Sequence, residues 1–508
     1  MNHFYPNSEE FKKLSKKYNL IPVYKEISAD LETPVSAYLK TSDGSYSFLL
    51  ESVEGGENVA RYSFIGTNPL EVIQTGKNTT NGGKNPLDQL RNKMKNISYA
   101  PVEGLPKFHG GAVGYLSYDS IKYFEPTVPE INSQDSGLNV PESVFMLTNS
   151  LLIFDHVKHT IIVVAHAEIG SDVSGAYNDA INTITSLINK LGKELPREEK
   201  IKNFIPISQI QNLHNQISYK DSIKDKSKSF IPNMSKEYYK DSVSRCKKAI
   251  NDGELIQVVF SQRLSRYTEI KPFNLYRSLR AINPSPYMFF LHLDDFNIVG
   301  ASPELLTQVI DKKMAVHPIA GTRPRGKNEI EDKSLEKDLI NDEKELSEHL
   351  MLLDLGRNDV GKVSEINSVN VTQSFEIEKY SHVMHIVSHV TGKLSDDLDC
   401  YDALKSAFPA GTVSGAPKVR AMQLISELEP TKRGPYSGAV GYFSFTGNMD
   451  TAISLRTMIV KDNIAYLQAG GGIVADSDIE KEYEETINKM SAMMAAINHA
   501  ELSSENTW

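Results

Sequence analysis

The chain has 508 residues, 40% hydrophobic and 24% charged, with a formal net charge of −10 and an isoelectric point near 5.8. That acidic balance argues against a nucleic-acid binder, which normally carries a basic footprint, and no apolar run of about 18 residues is available to span a membrane. Two distant cysteines, Cys246 and Cys400, make no disulfide framework, and the opening MNHFYPNSEEFKKLSKKY lacks the apolar core of a secretory signal, so a cytoplasmic protein is expected.

Length alone predicts about three domains, although large sheets often run longer as one unit. Residues from about 20 to 165 read as β-rich: Ser47–Ser52, Tyr62–Gly66 and Leu151–Phe154 have the apolar and aromatic character of strands. Helical spacing follows at Ile181, Ile184, Leu187, Ile188 and Leu191, predicting a helix over 174–191. The polar, Lys-rich stretch 193–235 reads as a linker or exposed crossing. The division expected is therefore 1–192, 193–235 and 236–508. One internal echo crosses it: GAVGYLSY at 111–118 nearly repeats as GAVGYFSF at 438–445. It is either a coincidence of small-residue strands or the mark of two corresponding strands in a pseudo-symmetric core.

Further along, 321–328 (GTRPRGKN) matches G-x-x-x-x-G-K and then fails as a phosphate loop. Asn328 stands where the metal-binding hydroxyl belongs, and Pro324 removes a backbone donor. Glu345 and Glu348, and again Glu482 and Glu485, are three apart in helical contexts, so each pair can present two carboxylates on one face. Leu339, Leu346, Leu350 and Leu353 would form the apolar flank of the first helix. Ile479, Tyr483, Ile487 and Met490 would form that of the second, with Lys489 beside the acids. Carboxylates from two distant helices suggest a hard divalent cation, for which one or two protein carboxylates plus substrate oxygens suffice.

Between the acidic pairs lie groups suited to an anion. His385 sits in a β-branched run and fits either a satisfied core residue or a catalyst; His382, His385 and His389 would not share one strand face, which discounts zinc. Thr412 and Ser414 lie in a loop before a helix predicted at 419–428, where an anion would be favoured. Arg456 reads as part of a strand over 452–460 and must find an anion, from the protein or from a substrate. Gly470, Gly471 and Gly472 read as a turn whose backbone can approach an anionic ligand.

Together with LLESVEGGE (49–57), RYSFIG (61–66), GELIQVVFSQR (253–263), NPSPYMFF (283–290), ASPE (301–304), PIAGTRPRG (318–326), DEKELSEHLMLLDLGRNDVG (342–361), FPAGTVSGAPK (408–418) and QAGGGIVADSD (468–478), the chain resembles the chorismate-utilising enzymes, the component I branch of the anthranilate synthases in particular. The likeness runs nearly the full length. It implies an α+β fold, two large antiparallel β-sheets in a layered core with helices outside, built from strands of both N- and C-terminal regions. It also implies a lyase that adds ammonia to ring carbon 2 of chorismate, expels the 4-hydroxyl and eliminates pyruvate to give anthranilate, the first committed step of tryptophan biosynthesis.

Carried over position by position, the resemblance makes Glu348 and Glu485 the Mg²⁺ ligands. It gives the ring carboxylate to Thr412 and Gly470–Gly472, the pocket lining to Gly321 and Thr322, and the enolpyruvyl carboxylate to Tyr436 and Arg456, with Lys489 completing the anionic pocket. Glu304 becomes the general acid and His385 assists pyruvate loss; the acid's role requires a raised pKa, which burial beside Glu348 and Glu485 would favour unless the metal offsets it. Glu51, Ser52, Pro286, Tyr287 and Met288 become a tryptophan feedback site. Water-adding relatives carry a lysine where this chain has Gln257, and aminodeoxychorismate synthases carry one where it has Ala320, so the nucleophile is expected to be free ammonia. Neither cysteine has the flanking glycines of a glutaminase elbow, which implies a separate glutamine amidotransferase subunit. Asn358 and Asp359 receive no role. A silent metabolite-sensing subunit on the same scaffold is the rival from another class.

Overall fold

The computed structural model describes residues 3–52, 61–77, 79–131, 137–195, 229–380 and 383–505. Most of 193–235, part of the motif at 49–57, and His382 lie outside them. Strands Tyr46–Glu51, Tyr62–Thr67 and Ser150–Asp155 and helix Val173–Leu191 form where the sequence pattern places them. That helix starts where the Asp172 side chain accepts from the Gly175 amide, and it buries Ile184, Leu187 and Leu191 along one face.

Two antiparallel sheets, of twelve and ten strands among the described residues, make the body. In order across the larger sheet run Leu20–Ser28, Thr160–Glu168, Ser150–Asp155, Tyr62–Thr67, Tyr46–Glu51, Tyr287–Leu293, Phe296–Ser302, Thr457–Lys461, Ile464–Ile473, Gln257–Tyr267 and Gly415–Ala416. The smaller runs Ile319–Pro324, Val383–Lys393, Lys313–Val316, Leu305–Ile310, Met449–Ile453, Ala439–Ser444, Gly111–Leu116, Ser143–Thr148 and Glu71–Thr75, and Asn370–Lys379 pairs with Val383–Lys393. Both sheets therefore draw strands from both ends of the chain.

Successive side chains of a strand point to opposite faces, and here both faces are covered. Val113, Tyr115 and Val440 of the smaller sheet meet Phe48, Ile298 and Phe289 of the larger in one core between the sheets. Their neighbours Ala112, Leu116 and Ala439 face the opposite way, onto helices Lys236–Asn251, Cys400–Ala407 and Lys418–Leu428. Helices Val173–Leu191, Pro272–Ile282 and Ile479–Glu505 cover the far face of the larger sheet. Double coverage explains why strands such as Ser143–Thr148 are buried at every residue and read as continuous apolar runs.

The internal echo becomes a contact. Gly111–Leu116 and Ala439–Ser444 lie side by side, antiparallel, with Gly114 opposite Gly441. A methyl group on Gly441 would lie 2.1 Å from the Asp450 carbonyl oxygen, closer than any side chain tolerates. The repeated glycines thus allow three strands to pack at this point, and the first and last thirds of the chain close on each other through them.

Candidate active site

The chain passes between the two sheets at adjacent places, and the chemistry collects there. Strand Phe296–Ser302 of the larger sheet continues through Pro303 and Glu304 into Leu305–Ile310 of the smaller. Strand Met449–Ile453 of the smaller returns through Ser454, Leu455 and Arg456 into Thr457–Lys461 of the larger. The crossovers bind each other: the Ile453 amide donates to the Glu304 carbonyl (3.0 Å) and the Ala301 amide to that of Arg456 (3.2 Å). Arg456 is therefore not inside one strand, as its apolar flanks suggested. Those flanks belong to different sheets, and Arg456 itself has φ 46°, a left-handed conformation costing about 1–3 kcal/mol in a non-glycine residue.

Arg456 makes no side-chain hydrogen bond or ion pair with any described residue. Burial pushes its pKa down, with Glu304 the opposing influence. Glu304 is buried, and its Oε1 accepts the Thr412 hydroxyl at 2.8 Å. Burial raises its pKa to about 8, against the lowering influences of Thr412, Arg456 and Lys489. The expected elevation is present with burial as its largest cause, while the neighbouring charges that act on Glu304 are the cations Arg456 and Lys489 rather than Glu348 and Glu485. A carboxyl group with a raised pKa thus stands near a cation that has no counter-ion among the described residues.

His385 lies in strand Val383–Lys393, its Nδ1 2.8 Å from the Gly321 carbonyl and 3.1 Å from the Thr322 hydroxyl. A carbonyl only accepts, so Nδ1 carries the hydrogen and Nε2 keeps a lone pair. Burial depresses its pKa, and Arg456 adds to this, keeping the ring neutral. Gly321 and Thr322 fall where the register of Ile319–Pro324 against Val383–Lys393 shifts, and Gly321 has φ 68°. This bulge turns the Gly321 carbonyl toward the histidine.

Gly470, Gly471 and Gly472 are not a turn. They end strand Ile464–Ile473, opposite Ser261, Phe260 and Val259. The glycines make room for side chains: a methyl group would lie 2.8 Å from Glu482 Oε2 at Gly471 and 2.4 Å from Gln257 Nε2 at Gly472. On the other edge, the ladder to Thr457–Lys461 stops at Met458 and Leu467. The Gly470 carbonyl on that edge accepts Lys489 Nζ (3.0 Å). The residue's N–H points the same way, leaving a donor-bearing edge open on the side where Arg456 leaves the sheet.

The acidic pairs do not act as units. Helix Glu343–Gly361 starts at the Asp342 cap, and Glu345 joins Asp338 and Asp342 around Arg323 (3.3, 2.6 and 2.8 Å). Glu348 instead accepts Gln257 Nε2 at 3.0 Å, and the other end of that amide, Oε1, is buried without a partner. Leu339 belongs to the preceding helix Glu329–Ile340 and Leu350 is 51% exposed; the buried face is His349, Leu352, Leu353, Gly356 and Val360. In helix Ile479–Glu505 the buried line is Glu482, Thr486 and Met490. Glu482 Oε1 accepts the Ser477 hydroxyl (2.7 Å), and its Oε2 is buried without a partner. Glu485 and Lys489 form a half-exposed pair at 2.7 Å. No group of three or more metal-ligating side chains converges among the described residues. A Mg²⁺ at Glu348 and Glu485 would therefore need substrate oxygens and water for most of its coordination.

The failed phosphate loop is accounted for: the Asn328 side chain caps helix Glu329–Ile340, and the Gly326 and Lys327 amides are taken by Asp332 and Glu331. Asp359 gains a role, receiving the buried Lys418 at 2.7 Å and so tying helix Glu343–Gly361 to the loop that carries Thr412. Asn358 is exposed. Sequence reasoning missed Glu429 and Arg433, a buried ion pair that forms where the chain leaves helix Lys418–Leu428, outside any helical spacing. Both cysteines are buried and free; burial pushes the Cys246 thiol up to about 12 and raises that of Cys400.

A separate cavity of about 1000 Å³ opens between the sheets. Glu51, Ser52, Pro286, Tyr287 and Met288 all line it, with Tyr442 and Asp450. Tyr276 and Arg280 hold Glu51 at 2.5 and 2.9 Å, while the Ser52 hydroxyl is buried without a partner. Although larger, this cavity contains neither Glu304 nor Arg456, so size does not mark the reacting centre.

Residues 45–495 match the family model described as chorismate binding enzyme. The chain is 45% identical to the anthranilate synthase component 1 of Acetivibrio thermocellus, over 98% of this chain and 99% of that protein. The crystal structure of anthranilate synthase component I from Streptococcus pneumoniae TIGR4 is 37% identical with a TM-score of 0.74, covering 92% of this chain and 99% of that one. The menaquinone-specific isochorismate synthase of Escherichia coli shares the fold at 17% identity and a TM-score of 0.69, over 96% of this chain and 98% of that one.

Proposed function

The chain belongs to the chorismate-binding enzymes, and we propose that it works as component 1 of an anthranilate synthase, converting chorismate and ammonia to anthranilate and pyruvate. The observation that carries this reading is the Arg456 guanidinium, half-buried and without an ion-pair partner among the described residues, near a Glu304 carboxyl whose pKa burial raises to about 8. Chorismate is a dianion that must lose a hydroxyl. Arg456 and Tyr436 take the enolpyruvyl carboxylate, and Thr412 with the open glycine edge takes the ring carboxylate. Charge-assisted contacts of about 1.5–3 kcal/mol each fix the ring.

Glu304 protonates the departing 4-hydroxyl, which its raised pKa permits near neutrality. His385, neutral with Nε2 free, accepts the ring proton during pyruvate loss. Mg²⁺ held by Glu348 and Glu485 would withdraw electrons through the ring carboxylate. Gln257 and Ala320 offer no amine, so ammonia comes from outside the chain. No described cysteine is a credible glutaminase nucleophile, since both are buried with raised thiol pKa values. A glutamine amidotransferase partner supplies the ammonia. In this reading 1–192 carries the feedback and partner side and 236–508 the chorismate chemistry, in the cytoplasm. Tryptophan fills the cavity at Glu51, Ser52, Pro286, Tyr287 and Met288 and inhibits by favouring one conformational state.

The test is purified chain with chorismate, Mg²⁺ and an ammonium salt at alkaline pH, followed by fluorescence. Anthranilate supports the proposal. A retained aminodeoxy product would indicate the aminodeoxychorismate reaction despite Ala320, and absence of turnover a sensing subunit. Magnesium and feedback are read in the same assay: turnover that survives exhaustive chelation refutes the first, and indifference to millimolar tryptophan the second.

A further inference from the structure

The strand Gln257–Tyr267 presents its two edges to different partners. One edge pairs along its length with Ile464–Ile473, including the three glycines. On the other, the short strand Gly415–Ala416 reaches only Gln257 and Val258. Beyond it, backbone from Ser414 takes the Val259 amide (2.9 Å), and a side-chain pair takes over where a further strand would lie. Arg433 Nη2 donates to the Val259 carbonyl (2.7 Å), and Glu429 Oε1 accepts the Ser261 amide (2.8 Å) and hydroxyl (2.8 Å). Val259 and Ser261 are the register partners of Gly472 and Gly470.

The same guanidinium reaches the other anion-binding elements. Its Nη1 donates to the Val413 carbonyl at 2.7 Å, next to Thr412, and to the Ser437 hydroxyl at 3.4 Å. Its plane lies 5.7 Å from the Tyr436 ring centroid and 4.7 Å from that of Tyr118. Nε and Nη2 close on Glu429 at 2.9 and 2.7 Å, so every guanidinium N–H group is engaged. Arg433 is 0% exposed, and of the groups assigned to the substrate it meets only the Tyr436 ring among the described residues.

We infer that Arg433 and Glu429 are positioning residues that fix the glycine edge, the Thr412 turn and Tyr436 at one spacing, the spacing of the substrate's two carboxylates. This rests on the chorismate reading above. A planar five-donor group is needed because three elements must be held from one centre; lysine keeps the charge but not the fork.

The experiment is steady-state kinetics with chorismate on wild type, Arg433→Lys and Ser261→Ala, measured well below each melting temperature. KM does not depend on the fraction of chain that is folded, so a merely structural role leaves it unmoved. Arg433→Lys is expected to raise KM by about tenfold, the equivalent of one lost charge-assisted contact, with a much smaller change in kcat. Ser261→Ala, which takes a hydroxyl donor from Glu429 and an acceptor from Gln468 of the glycine strand, is expected to raise KM by a smaller factor, about threefold. KM unchanged in both variants overturns the inference, and if Arg433→Lys does not fold, Ser261→Ala decides alone. A wild type that leaves chorismate untouched overturns the functional reading and this inference with it.

Discussion

Two arginine–glutamate couples, one fully buried and one with a half-buried arginine, treat charge in opposite ways. Arg433 and Glu429 face each other with every guanidinium donor used and the carboxylate also taken by Ser261. Arg456 and Glu304 share no hydrogen bond; the acid is held toward its neutral form by burial, and the cation has no ion-pair partner among the described residues. The first couple is closed and supports the sheet edge. The second is open, with one charge in surplus, and that surplus is what an anionic substrate can use. A buried charge therefore indicates a binding site only once its partners have been counted.

The sharpest break of this comparison is Glu304→Gln, which keeps the shape and removes the proton. It should lower kcat by about 10²–10⁴-fold, the usual worth of a general acid, with little loss of fold. In wild type, kcat should fall as pH rises through about 8, where Glu304 loses its proton. Stability carries the same signature. The folded state holds this proton above the ordinary glutamate range, so Glu304's contribution is full below about 4.5 and declines as pH rises, until the group has titrated near 8. The difference between wild type and Glu304→Gln in denaturant midpoint against pH should show that decline.

Next in size, Arg433→Met leaves Glu429 buried without its cation and should destabilise by about 3–5 kcal/mol in urea unfolding. Arg456→Met should do the reverse: a melting temperature equal to or above wild type, with kcat/KM for chorismate down on the order of 100-fold. If both arginines behaved alike in both assays, the contrast between them would collapse. The smallest effect is expected from Thr412→Val. Its hydroxyl lowers the Glu304 pKa, so its loss should move the alkaline limb of kcat to higher pH.

The sheets were legible because double coverage makes their strands apolar throughout, as at Ser143–Thr148. Arg456 was misplaced for the same reason: apolar residues on both sides hid a passage from one sheet to the other. Gly470–Gly472 were misread because glycine usually marks a turn, whereas here it clears space for Gln257 and Glu482. Helical spacing correctly put Glu345 with Glu348 and Glu482 with Glu485, but spacing does not say that Arg323 claims Glu345 or that Ser477 claims Glu482. The roles of Glu304, His385 and the tryptophan-site residues came from resemblance alone. The structure adds the Glu304 proton and the His385 tautomer, which depend on burial and on a bulge that no local pattern encodes.

The abutting strands Gly111–Leu116 and Ala439–Ser444 also set a timetable. A ribosome releases the first of them long before the second exists, so the growing polypeptide carries an uncapped sheet rim through most of its synthesis. Such a rim invites pairing with other nascent chains. The smaller sheet is completed only when the last third emerges, which makes native assembly a late event.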